Sequence, residues 1–414
     1  MSGLIFLSLD GDFDFSLEDG DDSAVVSLFR RDIPSHPRCG TFVYGMSNPV
    51  VVRTSSSTAH GWSARVRWLL QQYEQDLDRW LAELARKSLQ LRAISELASD
   101  AGQCSIEKLC LEISTEQQAL RWCHRTNVAL LNWLLAQSDE LIEVDDAATT
   151  HEALNSHYDS CSVLLHHVAK DWSSHAPHPP HVARILEMLD IHVPNRAGVK
   201  ILVPGAGMCA LALELLRRGF TVEACDSSLP MLLAVARLLG SSSASEGAPA
   251  AGPTMVHPYL AQRDNLEHSR SRLQGFVLKP ADQRHLPPQD LARLSLVHAG
   301  FVAHYREAIG VFDVVVTSFF LDCVPQPLDA IRVIVDTMRP GALWLHFGPL
   351  KFAQHATSTA YSANDVAVVA EALGLTIIER SLWAEQHYLV ALADEMHRSE
   401  WYTCLWLMAQ KPAT

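Results

Sequence analysis

The sequence predicts an α/β fold, a doubly wound Rossmann-like sheet preceded by an all-helical N-terminal region. Three observations predict it. From Val199 onward, short β-rich runs alternate with helical patterns. Before Val199, apolar residues recur at intervals of three and four, the mark of helices with one buried face. Between them, VKILVPGAGMCALALELLRRGFTVEACD, Val199 to Asp226, reads as strand, tight glycine turn, amphipathic helix and second strand.

Taken in order, residues 1–55 mix Asp10, Asp12, Asp14, Glu18, Asp19, Asp21 and Asp22 with prolines and glycines. Such a segment is expected to be loosely ordered, and no chemistry is assigned to it. In residues 56–190 the spacing of Val66, Leu70, Tyr73, Leu77, Trp80 and Leu84 predicts a long helix. Similar spacing continues through Ile106, Leu109 and Ile113, through Leu130, Leu131 and Leu134, and through His157, Cys161, Leu164, Leu165 and Val168. Residues 191–414 are expected to form the sheet, from the runs KILVP, FTVEA, VFDVVVTSFF, ALWLHF, LTIIE and TCLWLMA. All are read as parallel, with helices on both faces. The small and polar stretch Gly240 to Pro253 cannot support a core and is expected to be a flexible surface insertion.

Composition excludes several classes. A chain of 414 residues with 48% hydrophobic content can bury a full core. A formal charge of −14 argues against wrapping a phosphodiester backbone, so no nucleic-acid partner is expected. The nine cysteines are odd in number and form no CxxC pair, as fits reduced thiols. The start MSGLIFLSLDGDFDF makes a poor signal peptide, and no run approaches a membrane span. A cytoplasmic or nuclear protein away from membranes is expected. His175, His178 and His181 are evenly spaced, but Pro177, Pro179 and Pro180 break any helix there, and no metal is expected.

The turn Pro204-Gly205-Ala206-Gly207 lets backbone approach a ligand, and Asp226 stands where a carboxylate accepts both ribose hydroxyls. Gly205, Gly207 and Ala210 satisfy the loose G-x-G-x-x-G/A pattern, which admits NAD and S-adenosylmethionine alike. The segment Phe319 to Asp322 ends another strand on the same edge. By the residues alone, Asp322 is either a site carboxylate or the N-cap of a helix over Gln326 to Thr337. Trp172 reads as helix packing.

Several blocks in one order, from Tyr158 to Pro412, resemble a known family. They are Lys170-Asp171-Trp172-Ser173, the VPGAG turn, Asp226 with Ser228 and Met231, and His285-Leu286-Pro287-Pro288. They continue with Thr317-Ser318-Phe319-Phe320-Leu321-Asp322, Arg339-Pro340-Gly341 leading to Gly348-Pro349-Leu350, and Tyr402-Thr403-Cys404. Together they are similar to the carnosine N-methyltransferase family of S-adenosylmethionine-dependent enzymes, which implies a methyltransferase-type sheet. The resemblance implies S-adenosylmethionine as cofactor, held by His167, Lys170, Gly205, Gly207, Asp226 and Phe301. It implies a substrate pocket of Phe319, Asp322, Tyr402 and Glu400, with Asp322 as the catalytic residue that fixes the tautomer of an imidazole.

The implied activity is N-methylation of carnosine or a related histidine-containing peptide. The alternatives are methylation of a histidine in a protein, or a scaffold that keeps the fold with weak catalysis. The chain departs from the family at four places. Cys209 and Ala210 replace a glycine and an arginine, so one contact to the methionine carboxylate is expected to be either absent or supplied by Lys170. His298-Ala299-Gly300-Phe301 lacks the family's aspartate at the adenine. Ala353 replaces a histidine, with His355 two residues on, and Glu400 replaces a tyrosine, an exchange expected to favour a positively charged substrate group.

Overall fold

The computed structural model describes residues 50–55, 62–135, 138–145, 159–174, 179–240, 253–280, 286–352, 359–389 and 400–413. Residues 1–49, most of the Gly240 to Pro253 insertion, His175, His178, His285, Ala353 and His355 lie outside them, as does the side chain of Glu400. In chain order the strands are β1 (Val52–Ser55), β2 (Ile142–Asp145), β3 (Lys200–Pro204), β4 (Thr221–Asp226), β5 (Met255–Val256) and β6 (Phe276–Val277). They continue as β7 (Leu294–His298), β8 (Phe312–Ser318), β9 (Met338–Gly348), β10 (Thr376–Leu389) and β11 (Glu400–Gln410). The helices are α1 (Trp62–Ser95), α2 (Asp100–Leu135), α3 (Cys161–Trp172), α4 (Pro180–His192), α5 (Ala210–Arg217) and α6 (Leu229–Gly240). Beyond them come α7 (Pro288–Leu291), α8 (Phe301–Tyr305), α9 (Pro327–Thr337) and α10 (Ala363–Ala372).

Nine of the described strands form one sheet in the order β10-β11-β9-β8-β3-β4-β7-β1-β2. From β9 to β2 every neighbouring pair is parallel. The central strands read as continuous apolar runs because helices cover both faces, and in β3 every residue after Lys200 is buried. One core lies on the face that carries α1 to α6 and a second on the face that carries α8 to α10, with Trp344 and Trp406 fully buried. Helix α6 (LPMLLAVARLLG) is apolar nearly all round because it packs on the sheet and also under α2.

The structure differs from the sequence reading in two places. Residues 52–55, read as part of a loosely ordered segment, form β1 between β7 and β2, and the region read as all-helical contains β2. Four-residue strands are too short to show a period, and β1 is anchored by one fully buried apolar side chain, Val52. The last two strands are antiparallel: β11 runs against β9, and β10 against β11. No helix separates β10 from β11 among the described residues, so the chain returns as a hairpin rather than a crossover.

Helices α1 and α2 are 34 and 36 residues long, roughly 50 Å each at 1.5 Å per residue. Trp62, Val66, Leu69, Tyr73, Trp80 and Leu84 make the buried stripe of α1. A buried polar network ties this region to the rest: Asn127 Nδ2 donates to Tyr73 Oη (2.8 Å) and to the His257 carbonyl (2.7 Å), and Arg272 pairs with Glu116 (2.9 Å). Among the described residues no helix is long and apolar enough to cross a membrane, and the described cysteines are free thiols.

Strand β3 has β4 on one side and β8 on the other, and chain order reverses between β3 and β8. That reversal is the topological switch point where ligands bind in doubly wound sheets, at the carboxyl ends of the strands. The glycine turn follows β3, Asp226 ends β4, and Phe319 to Asp322 follow β8.

Candidate active site

The β3–β4 corner is built around backbone that large side chains would block. Gly205 (φ 65°) and Gly207 (φ 53°) are left-handed, and so is Cys209 (φ 59°), where a side chain carries strain. A Cβ on Gly205 would stand 2.7 Å from Phe320 Cδ2, so the ring of Phe320 fills that place. A Cβ on Gly207 would meet nothing within 4 Å, which leaves open space before the turn. Trp172, the last residue of α3, pins the turn by donating Nε1–H to the Met208 carbonyl at 3.0 Å, and so acts in packing.

Asp226 closes this corner. Its Oδ2 accepts from Gly207 N–H (2.7 Å) and its Oδ1 from Ser228 N–H (2.8 Å). Burial pushes the carboxyl up, and the N–H groups of Ser228, Gly207 and Ser227 pull it back. His167, half-buried on α3, is held down to about 4 by burial and then by the Lys170 charge, so its imidazole is neutral at pH 7. Lys170 itself pairs with Asp171 Oδ1 at 2.6 Å. Phe301 is buried, with its ring edge-on to Phe320 at 5.3 Å.

Thr54 was not expected near this corner. His298 pairs in register with Asp226; its Nε2 lies 3.2 Å from the Ser227 carbonyl and its Nδ1 2.9 Å from Thr54 Oγ1. A carbonyl only accepts, so Nε2 carries the proton and Nδ1 accepts from the Thr54 hydroxyl. Thr54 comes from the segment read as having no chemistry, and nothing in its sequence marks the contact.

The β8–β9 corner is strained. Phe319 adopts φ 51°, a left-handed conformation that costs a non-glycine residue about 1–3 kcal/mol. Its N–H donates to the Phe347 carbonyl (2.8 Å), and a Cβ on Gly348 would approach Phe319 N to 3.1 Å, so a side chain there would press on this bend. The bend feeds a 3₁₀ turn, Leu321–Cys323, that buries Asp322. Burial pushes the Asp322 carboxyl up to about 6, against its own backbone N–H, the Cys323 thiol and the Lys351 charge. The N-cap reading of Asp322 fails, because α9 is preceded by Gln326 without a side-chain cap and Asp322 belongs to the earlier turn.

Across from it, β11 supplies Tyr402 and Cys404, alternate residues on one face of a strand. Lys351 Nζ donates to Tyr402 Oη at 3.2 Å and lies 5.3 Å over the Tyr402 ring. The Cys404 thiol is pushed up to about 12 by burial and then by the Asp322 charge. Glu400 lies two residues before Tyr402 and pairs with Leu389. From α4, the buried His181 stacks parallel on Phe347 (4.4 Å) and edge-on to Phe319 (5.6 Å), with Nε2 3.2 Å from Ser318 Oγ. Lys351 and His181 are the site neighbours that the sequence reading missed.

The two corners meet at consecutive aromatic residues: Phe320 packs into the glycine turn and against Phe301, while Phe319 faces His181 and Phe347. The arrangement offers a nucleotide-type turn with a strand-end carboxylate, next to a buried carboxylate walled by aromatic rings. Among the described residues no group of three or more His, Cys, Asp or Glu could hold a metal ion.

The family model described as "Carnosine N-methyltransferase" matches residues 148–412. Carnosine N-methyltransferase from Rattus norvegicus is 26% identical over 200 residues, 47% of this chain and 48% of that protein. Carnosine N-methyltransferase unmet from Drosophila melanogaster is 24% identical over 260 residues, 59% of this chain and 54% of that protein. That from Dictyostelium discoideum is 27% identical over 172 residues, 40% of this chain and 35% of that protein. The chain spans about half the length of the curated relatives it matches. Among solved structures, magnesium protoporphyrin IX methyltransferase from Synechocystis with bound SAM overlaps 56% of this chain and 78% of that one, at 12% identity and a TM-score of 0.32.

Proposed function

Since the chain belongs to the carnosine N-methyltransferase family, we propose that it transfers a methyl group to an imidazole nitrogen of carnosine or a related histidine-containing peptide. The observation that carries the reading is the buried Asp322 carboxylate beside the Phe319 bend. The cofactor of the family is S-adenosylmethionine, whose sulfonium methyl is the electrophile.

The β3–β4 corner fits that cofactor, since Gly207 leaves open space and Asp226 offers carboxylate oxygens at the strand end. Asp226 would accept the ribose hydroxyls, with the Gly205 and Gly207 backbone alongside. His167, neutral, presents one donor and one acceptor, as the glutamine amide of the family does there. Lys170 would face the methionine carboxylate and Phe301 the adenine.

At the other corner, Phe319 would wall the imidazole, and Tyr402 and Glu400 would bind the rest of the peptide. Asp322, ionised above about pH 6, accepts the N–H of one ring nitrogen and so leaves the lone pair of the other facing the methyl. As the new N–C bond forms and the sulfonium–methyl bond breaks to leave a neutral thioether, the ring becomes cationic; the same buried carboxylate would stabilise that charge and then take the N–H proton and pass it to solvent. Positioning supplies most of the rate, since the sulfonium needs little covalent help.

The test is methyl transfer from labelled S-adenosylmethionine to carnosine, its amidated analogue and a histidine inside a longer basic peptide, read by mass spectrometry. Label on the imidazole of a histidine peptide is expected. Label on none of them would sink the reading, and label only on the longer peptide would move the substrate to a protein histidine.

A further inference from the structure

We infer that His181 is a positioning residue of the β8–β9 corner, holding Phe319, and through it the turn that carries Asp322, in the geometry the transfer requires. This rests on the reading of Phe319 and Asp322 as substrate-facing residues. His181 drew attention in the sequence as the last of three evenly spaced histidines, a spacing that suggests a metal. In the structure it is buried in an aromatic stack.

Three of its contacts fall on one bend. Ser318 and Phe347 are register partners at the ends of β8 and β9, and Phe319 follows Ser318 in the left-handed conformation. The imidazole lies parallel to Phe347 at 4.4 Å and 3° between planes, meets the Phe319 ring edge-on, and reaches Ser318 Oγ with Nε2. Phenylalanine in its place would give the stack without the hydrogen bond, and glutamine the hydrogen bond without the stack. An imidazole supplies both from one rigid ring with two side-chain torsions.

The support for the ring is rigid as well. His181 follows Pro180, the first residue of α4, so its Cα is fixed at a helix start. A left-handed phenylalanine persists only where its surroundings over-determine it. At Phe319 they are the N–H bond to Phe347, the glycine at 348, and His181 on the side-chain face. Without His181 the side chain of Phe319 has lost one wall, and the bend is free to relax toward ordinary extended backbone. Asp322, three residues on, moves with it.

Two readouts on the full chain test this, and only one depends on turnover. The first is amide hydrogen exchange, followed at Phe319, whose N–H is bonded to the Phe347 carbonyl, with Gly207 as the control in the other corner. His181→Ala is expected to speed exchange at Phe319 at least tenfold and to leave Gly207 unchanged. His181→Phe, which keeps the stack, and Ser318→Ala, which removes only the hydrogen bond, are expected to fall between wild type and His181→Ala. They also serve if the alanine variant does not fold.

The second readout is steady-state methyl transfer to a histidine peptide. His181→Ala is expected to lower kcat ten- to a hundredfold, as misplacement by about an ångström does, with S-adenosylmethionine affinity within twofold of wild type. Unchanged exchange at Phe319 in the folded variants overturns the inference whatever the activity. Faster exchange with unchanged kcat and KM also overturns it, since a positioning role requires a kinetic consequence. A wild type that methylates no imidazole, with Phe319 exchange still dependent on His181, supports the clasp and sinks only the substrate reading.

Discussion

Asp226 ends β4 and Asp322 follows β8, the two strands that flank β3, and their surroundings differ. Burial raises both carboxyls, but Asp226 is answered by the backbone N–H groups of three residues, two of them at 2.7 and 2.8 Å. Asp322 has its own N–H, a thiol 3.8 Å away and the charge of exposed Lys351, and stays near 6. The first is a fixed acceptor, suited to holding hydroxyl groups. The second lacks strong donors and, on the proposed reading, would gain one from an imidazole N–H. That reading divides binding and transfer between two corners of one sheet edge, and the following substitutions should separate them.

The largest effect is expected for Asp322→Asn, which keeps the size of the side chain but removes the anionic acceptor. Methyl transfer should fall by roughly 10² to 10⁴ while S-adenosylmethionine affinity stays near normal. Stability should move the other way. With its folded pKa raised from 3.8 to about 6, Asp322 contributes stability below about pH 4 that is lost as pH rises through 6. At pH 7 the buried anion therefore costs the fold on the order of 3 kcal/mol, and Asp322→Asn should raise the melting temperature. A variant that is both less stable and fully active would reverse the assignment of the two corners.

Asp226→Ala should show the complementary pattern. Hydrogen bonds to a charged acceptor are worth about 1.5–3 kcal/mol each, so calorimetry should find S-adenosylmethionine bound at least tenfold more weakly. The loss of its bonds to Gly207 and Ser228 should also lower stability, unlike the change at Asp322.

The pH dependence sharpens the contrast in the wild-type protein. Capture of substrate by the free protein needs the Asp322 carboxylate, so kcat/KM should drop at least tenfold between pH 7 and pH 5, and the drop should be shallower in Asp322→Asn. A smaller pair of effects divides the glycines. Gly205→Ala puts a methyl 2.7 Å from the Phe320 ring and should cost about 1–3 kcal/mol in denaturant unfolding. Gly207→Ala meets no protein atom within 4 Å, so beyond about 1 kcal/mol of backbone strain its effect should appear as weaker cofactor binding.

Where the geometry is local in sequence, it was legible. The glycine turn, the carboxylate ending the next strand and the Phe-Phe-Leu-Asp segment each lie within one strand and its connection, so their types and order expose them. The two-faced burial of β3, β8 and β9 was legible for the same reason, as continuous apolar runs. Contacts made by distant segments were not. His181 reaches Ser318 across 137 positions and Thr54 reaches His298 across 244, and neither carries a local pattern that distinguishes it from an ordinary core or surface residue. The antiparallel run of β11 was hidden because strand direction is set by the connection, while the apolar run reads the same either way.

The most direct test of the division of labour is which imidazole nitrogen receives the methyl. Peptide product from wild type and from Asp322→Asn, the latter collected over long incubations, can be resolved into its two positional isomers by NMR. The account predicts a single isomer from wild type and a mixture from the variant, because the carboxylate alone decides which nitrogen bears the proton. A single, identical isomer from both proteins, or a mixture from wild type, would contradict it.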